Sequence, residues 1–218
     1  EVVKSRPPSD MLRADLAALE TQVCDLLLTM QRLPRAEVVI VTNASEGWVQ
    51  TSAAKFMPKV RRLLIERNIS VRHTRTASET ETGGSPDEWK AAVFNQELAP
   101  FRWPVSLWAP HDAYDGAGAQ AVRIISIGDS IWEHSAAAAV AQCDDIVVTV
   151  KLAANPTCRQ LYQQLLTVQS SLPKLHAMSR SVSINTVPQK NKKPHQVAGR
   201  LAPVVEHPEE AANSRTEE

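Results

Sequence analysis

The sequence predicts an α/β protein with a Rossmann-like parallel sheet and helices on both faces, and two features support this. Three short runs rich in apolar, β-branched residues, at positions 38–41, 122–127 and 146–150, are typical of strands covered on both faces. Segments in which apolar residues recur every three or four positions alternate with these runs from residue 37 to residue 171. Because ligands gather at the carboxyl ends of parallel strands, the residues there are the candidates for a site.

The first half of the pattern predicts two helices and two strands. A helix is expected from Asp10 to about residue 32, followed by the strand at 38–41 and a helix at 48–67. Pro58 should kink or split the second helix, because proline removes a helical hydrogen bond; a short strand at 69–71 follows. The inward-facing residues are expected to be Leu12, Leu16, Leu19, Val23, Leu26 and Met30 in the first helix, and Val49, Ala53, Val60 and Leu64 in the second, with Phe56 or Met57 between them.

The second half continues the alternation after a polar stretch at 72–86. A helix begins at Pro86, and residues 100–120 form an irregular insertion that contains three prolines and two glycines. The remaining predicted elements are the strand at 122–127, a helix at 133–141, the strand at 146–150 and a helix at 157–171 that may extend to 178. We expect a polar linker at 1–10, one α/β domain at 11–180 and a disordered polar tail at 181–218.

Composition and charge argue against several kinds of partner. Lysine plus arginine and aspartate plus glutamate each number 24, so there is no electrostatic reason to expect nucleic acid or an anionic membrane. No apolar run approaches the roughly 20 residues of a spanning helix. The three cysteines have neither disulfide nor zinc spacing, which favours a reducing, cytoplasmic setting. The first residue is Glu1, so we expect a processed product or an incomplete sequence.

Polar side chains follow two of the predicted strands and suggest a common chemistry. Thr42 and Asn43 follow the first strand, and Asp129 follows Gly128 at the end of the strand at 122–127, with Glu133 four residues later. Lys90 lies near the start of a helix between them. A hydroxyl and a lysine can bind phosphate oxygens, and carboxylates are the ligands that Mg²⁺ prefers. Taken singly, Thr42 could instead be a turn residue, Lys90 a surface lysine and Glu133 a first-turn helix residue.

The order of these residues resembles the motifs of the haloacid dehalogenase-like (HAD) superfamily of hydrolases. Thr42 is similar to its second motif, Lys90 to its third, and Gly-Asp-Ser-Ile-Trp-Glu at 128–133 to the GDxxx(D/E) form of its fourth. The stretches VTNASEGWVQTSAAKFMP, DEWKAAVF and ISIGDSIWEH also look like an uncharacterised HAD-like group of microbial eukaryotes. The resemblance covers residues 12–175.

The resemblance implies a Mg²⁺-dependent phosphatase. In that case Thr42 and Asn43 would bind the phosphoryl group, Lys90 would steady the phosphate and an aspartate nucleophile, and Asp129 with Glu133 would hold the metal. No large cap is evident between Thr42 and Lys90, although residues 103–118 could act as a small lid. An open site would suit a large phosphorylated substrate such as a protein.

One departure from the family pattern is serious. The resemblance implies a first motif, DxDx(T/V), on a strand upstream of a helix like the one at 12–30, and the chain has no such motif. Asp112 and Asp115 have the wrong spacing, and Asp144 and Asp145 precede a strand instead of ending one. Without that nucleophile no aspartyl-phosphate can form, so we expect this chain alone to be inactive. The alternative is a non-catalytic HAD-like binding or regulatory protein.

Overall fold

The computed structural model describes residues 10–74, 85–102 and 120–186, and these form six helices and five strands. In chain order the elements are α1 (Asp10–Gln31), β1 (Val39–Thr42), α2 (Trp48–Phe56), α3 (Pro58–Glu66), β2 (Ser70–His73), α4 (Pro86–Arg102), β3 (Arg123–Gly128), α5 (Ile131–Ala139), β4 (Ile146–Lys151), α6 (Cys158–His176) and β5 (Val182–Asn185). None of these helices is long and apolar enough to span a membrane. The predicted linker at 1–9, residues 103–119 with the proposed lid, and the tail beyond 186 lie outside the described residues.

All described strand pairs are parallel, which confirms the predicted α/β class. β1 pairs with β2, with Val39 opposite Ser70 and Thr42 opposite His73. β3, β4 and β5 form a second sheet in that order, with Gly128 opposite Lys151. No described strand joins β1 to β3, and this arrangement is compatible with the predicted Rossmann-like class.

Helices cover both faces of the strands, as predicted. Val148 and Val150 of β4 pack in one cluster with Leu19 and Leu26 of α1 and with the apolar side of α6. Val147, between them in sequence, packs in a different cluster with α5 and, through partly buried residues, α4. Because successive strand side chains point to opposite faces, α1 and α6 lie on one face of β4 and α5 on the other. Helix α1 also packs against α3, and its Leu27 lies in an apolar cluster with Ile40 of β1 and Val71 of β2.

The helix predicted at 48–67 divides at Pro58. Met57 ends α2 with its N–H donating to the Ala53 carbonyl (2.8 Å), and Pro58 begins α3, where a missing N–H costs little. Met57 packs against two apolar clusters, whereas the Phe56 side chain is 51% exposed. The sequence left open whether Phe56 or Met57 faces inward, and the structure shows that Met57 does. Leu12, predicted to face inward, is 46% exposed.

Ordered structure extends beyond the prediction in two places. Helix α4 continues through Pro100 to Arg102, whereas α6 shows the extension through Pro173 that the sequence left open, because Leu172 and Leu175 keep its apolar face buried. Strand β5 lies in the region predicted to be tail, so ordered structure extends beyond the predicted boundary at 180. Only Val182 and Ile184 of β5 are apolar, and both are partly buried against β4 and α6, so its sequence pattern is too short to predict a strand.

A buried ion pair joins the end of α4 to the start of β4. The Arg102 guanidinium donates to the Asp145 carboxylate, and also to the Val140 carbonyl (2.8 Å). Asp145 accepts from the backbone N–H groups of Val122 (2.8 Å) and Gln142 (2.9 Å) as well. Burial alone would raise the pKa of Asp145, but these donors outweigh burial and lower it. Asp145 is therefore a structural residue that holds the entry to β3, the end of α5 and the turn before β4 together.

Replacing Asp145 should destabilise the fold in a pH-dependent way. We expect Asp145→Asn to lower the free energy of unfolding by about 3 kcal/mol at pH 7, because Arg102 would stay buried without its counter-charge. The lowered pKa of Asp145 means that its contribution is present above the ordinary carboxyl pKa and is lost as pH falls through the folded-state value. Urea unfolding from pH 7 to pH 3 should therefore show the two proteins converging in acid. Asp144→Asn, at an exposed neighbour, is the control and should change stability little.

Candidate functional site

The loop after β1 is held by hydrogen bonds to the end of β2. The Thr42 hydroxyl accepts from the Ala44 N–H (3.1 Å), and the Thr42 carbonyl accepts from the Thr74 N–H (3.0 Å). The buried Thr74 hydroxyl donates to the Asn43 side-chain carbonyl (2.6 Å). A ring nitrogen of His73 also lies 3.2 Å from the Ala44 carbonyl. The predicted phosphate-binding residues Thr42 and Asn43 therefore lie in a braced turn at the carboxyl end of β1.

Lys90 and Glu133 form a buried ion pair between α4 and α5. Lys90 Nζ lies 2.8 Å from Glu133 Oε1, and the two side chains are only 5% and 16% exposed. Burial alone would raise the pKa of Glu133, but the hydrogen bond and charge of Lys90 outweigh burial and lower it. The alternative that Lys90 is a solvated surface lysine is therefore wrong.

Glu133 also caps the start of α5 and lies against Gly128. Its Oε2 accepts from the Ser130 N–H (2.9 Å), while the Ser130 hydroxyl accepts from the Trp132 N–H (3.1 Å), as in a capping box. A Cβ at Gly128 would lie 2.7 Å from Glu133 Cγ, which is closer than such contacts ordinarily allow. Glycine at this strand end thus makes room for the Glu133 side chain.

Asp129 occupies the turn between β3 and α5 and is exposed. Its backbone carbonyl accepts from Lys151 Nζ at the end of β4, and Lys151 also donates to the Leu152 carbonyl (3.3 Å). Among the described residues no side chain is paired with the Asp129 carboxylate. Asp129 is therefore placed by its backbone, and its carboxylate is available to a ligand.

His134 follows Glu133 and is half-buried. Its Nε2 atom is buried and has no hydrogen-bond partner among the described residues. Burial lowers the pKa of His134, and the nearby charge of Lys151 lowers it further, whereas Glu133 acts in the opposite direction. These effects favour the neutral imidazole.

The structure brings together some of the predicted site residues and leaves others apart. Lys90 and Glu133 are in direct contact, and Thr42 and Asn43 share one turn. The described contacts do not join the Thr42 turn to the Lys90–Glu133 pair or to Asp129.

The described residues do not by themselves fit a magnesium ion. They contain no group of three or more histidine, cysteine, aspartate or glutamate side chains that could hold a metal. Glu133, one of the two predicted ligands, already has one oxygen on Lys90 and the other on the Ser130 N–H. That leaves the Asp129 carboxylate, whereas Mg²⁺ requires near-octahedral oxygen coordination.

Sequence reasoning missed Thr74 and Lys151, which support the two strand ends. Thr74 lies one residue beyond β2, and Lys151 is the last residue of β4. Each is a polar residue at the carboxyl end of a parallel strand, which is the same position that identified Thr42 and Asp129. Applying that rule to every strand would have found both residues.

Comparisons with protein-family models, curated proteins and solved structures found no match to this chain. The HAD resemblance therefore depends on the residues of the chain itself.

Removing the charge of Lys90 should destabilise the protein, because Glu133 would then be buried without a counter-charge. We expect Lys90→Met to lower the free energy of unfolding by about 3 kcal/mol at pH 7, because Glu133 would remain buried without a counter-charge. The deficit should shrink as pH falls through the carboxyl range, since the stabilisation that comes with a lowered Glu133 pKa is lost in acid. Adding Glu133→Gln should recover much of the loss in urea unfolding, while the control Lys174→Met, at an exposed position, should have little effect. A loss that is the same at every pH would contradict this role of the pair.

Gly128 and Glu133 should be coupled because they compete for the same space. We expect Gly128→Ala to cost about 1–3 kcal/mol, since the new methyl group would displace the Glu133 side chain. In a Glu133→Ala background the same change should cost much less. The test is a double-mutant cycle measured by urea unfolding; strictly additive effects would show that Glu133 does not set the requirement for glycine.

Proposed function

We propose that the chain is part of a HAD-like hydrolase that cleaves phosphate esters, with the attacking carboxylate supplied from outside these 218 residues. The observation that carries this is the buried Lys90–Glu133 pair, because it joins the segments that resemble the third and fourth motifs of the family. Parallel strands that end in Thr42 and Asp129 give further support. The order of the motifs and the parallel α/β fold are both compatible with this class of enzyme.

The described residues suit the binding of a phosphoryl group. The Thr42 oxygen accepts from the Ala44 N–H, which leaves the hydroxyl hydrogen free to donate to a phosphoryl oxygen. Lys90 would contribute positive charge where negative charge develops during phosphoryl transfer. In this proposal Glu133 positions Lys90, and of the two predicted metal ligands only Asp129 keeps that role.

Magnesium remains part of the proposal because of the family resemblance alone. A bound Mg²⁺ would neutralise charge on the phosphoryl oxygens, and Asp129 could contribute one ligand. The remaining oxygens would have to come from outside the described residues, so we assign no catalytic step to the metal. A large phosphorylated substrate such as a protein and a cytoplasmic location both remain predictions from the sequence.

The second candidate is a HAD-like binding protein that has kept the fold without the reaction. This alternative is favoured by Glu133, because both of its oxygens are engaged and neither is available to a metal. Both candidates retain a phosphate-binding role for Thr42 and Lys90, so they differ in turnover and share ligand binding.

The decisive experiment compares hydrolysis of p-nitrophenyl phosphate by the full-length gene product with and without Mg²⁺. We expect Mg²⁺-dependent turnover, with kcat/KM reduced by about a hundredfold or more in Asp129→Asn and in Thr42→Val, because each change removes a polar contact to the reacting group. Asp144→Asn, which is exposed and precedes β4, is the matched control and should retain activity. Full activity in both site variants would show that the site is assigned wrongly.

The two candidates separate if the full-length gene product shows no turnover. In that case titration of the 218-residue chain with inorganic phosphate, followed by amide NMR, should shift the signals of Thr42, Asn43 and Ala44. Such shifts, lost in Thr42→Val, would favour the binding protein; no shift would exclude both candidates.

A further inference from the structure

The solvent-facing side of α2, α3 and β2 is strongly basic, although the chain as a whole is neutral. From residue 48 to residue 73 there are six lysine or arginine residues and one acidic residue, Glu66, whereas basic and acidic residues are equal in number over the whole chain. All six basic residues are exposed. Positive charge is therefore concentrated on one part of the surface, where it can attract an acidic partner.

Arg61 and Arg62, on the exposed side of α3, have no acidic partner among the described residues. The ion pairs in that part of the chain join β2 to α4, α4 to α5, and α4 to the turn before β4, and none of them includes a residue of α3. Glu66, at the end of α3, is the sole acid in the sequence of this helix. The charges of the two guanidinium groups are thus available to a ligand.

An apolar groove lies directly beside Arg61. Its volume is about 200 Å³, and its lining residues come from α2, α3 and the start of β2. They are Gln50, Arg61, Leu64, Ile65, Ile69 and Val71. The volume is several times the roughly 30 Å³ that one water molecule occupies in the liquid. The groove is therefore large enough to receive an aliphatic side chain.

Ile65 forms an exposed rim of this groove. It is 68% exposed, whereas its neighbours in the groove, Leu64 and Ile69, are buried. Residues three and four positions apart are neighbours on a helix surface, so Arg62 and Arg61 flank Ile65 one turn earlier. One exposed aliphatic residue is ordinary by itself. Here, however, the exposed residue continues an apolar groove and lies beside two arginines that have no acidic partner in the described part of the chain.

An acidic polypeptide segment with one aliphatic side chain has the chemistry that this surface requires. The aliphatic side chain would remove the groove and Ile65 from water, and neighbouring carboxylates would pair with the planar guanidinium groups of Arg61 and Arg62. A flat anionic membrane would contact Ile65 and leave the concave floor unfilled. Nucleic acid is disfavoured because the six lining residues include no aromatic side chain on which a base could stack.

We propose that this surface, which we term the basic groove, docks an acidic segment of a partner polypeptide through one aliphatic side chain. That side chain lies against Leu64, Ile65 and Val71, and the acidic residues beside it pair with Arg61 and Arg62. The proposal is independent of phosphatase activity, because no residue of the basic groove belongs to the candidate site. Docking and turnover can therefore be measured separately.

The test titrates the 218-residue chain with a synthetic peptide, acetyl-Gly-Asp-Glu-Leu-Glu-Asp-Gly-amide, and follows methyl signals by NMR. We expect saturable shifts at Leu64, Ile65, Ile69 and Val71, the aliphatic residues of the groove. Raising NaCl from about 50 mM to about 500 mM should weaken binding several-fold, because exposed charges are screened by salt. Two control peptides, one with asparagine in place of leucine and one with amides in place of all four carboxylates, should each bind about tenfold more weakly.

Substitutions in the chain provide the complementary measurement. Arg61→Glu should weaken peptide binding about tenfold because it reverses a charge at the groove, and Ile65→Asn should do the same because it removes the apolar rim. Both residues are exposed, so neither change should unfold the protein. Arg159→Glu and Leu166→Asn, at exposed basic and apolar positions of α6, are the matched controls and should leave binding unchanged.

Three results would overturn the proposal. An absence of shifts at the groove methyl groups with millimolar peptide would mean that the groove does not take up such a segment. Equal binding of the amide peptide, or equal binding by Arg61→Glu, would mean that charge does not select the partner. Binding to phosphatidylserine vesicles or to a deoxythymidine oligonucleotide that depends on Arg61 and is tighter than binding to the peptide would identify a different class of partner.

Discussion

Backbone hydrogen bonding between parallel strands is the constraint on which this structure depends. A parallel strand in the interior of an α/β protein needs a partner on each edge, because its polar groups are removed from water by the helices above and below. β4 meets this condition through β3 and β5, and its valines are the most completely buried side chains of the sheet. Among the described residues, β1 and β3 are paired on one edge each.

Helix α1 shows how the two sheets nevertheless belong to one folded unit. Its Leu19 and Leu26 pack with β4 and α6, while Leu27 packs with Val60 and Leu64 of α3. On the other face, helix α4 is joined to α5 by the Lys90–Glu133 pair and to the turn before β4 by the Arg102–Asp145 pair. Helix α4 also contacts β1, so helix packing and two ion pairs connect the elements around β1 to those around β3.

The sequence contained enough information to predict most of the architecture. The apolar runs at 38–41, 122–127 and 146–150 all became strands, since β-branched residues in short uninterrupted runs require burial on both faces. Pro58 marked the break between α2 and α3 because its effect is local. β5 was missed because its stability comes from contacts with α6 and β4 that are distant in sequence. The apolar runs alone do not give the order of the strands, because strand order is a property of tertiary packing, whereas the division into two sheets is compatible with the missing strand that the HAD resemblance implies.

The residues of the candidate site could be predicted from the sequence, but the role of each residue could not. The rule that ligands gather at strand ends identified Thr42 and Asp129, but it gave Glu133 the role of a metal ligand and left Lys90 open to interpretation as a surface residue. The geometry assigns Glu133 three structural contacts: the ion pair with Lys90, the cap of α5 and the close approach to Gly128. A carboxylate with both oxygens engaged would have to give up a buried ion pair to bind a metal, and that exchange is unfavourable unless new ligands arrive together with the ion.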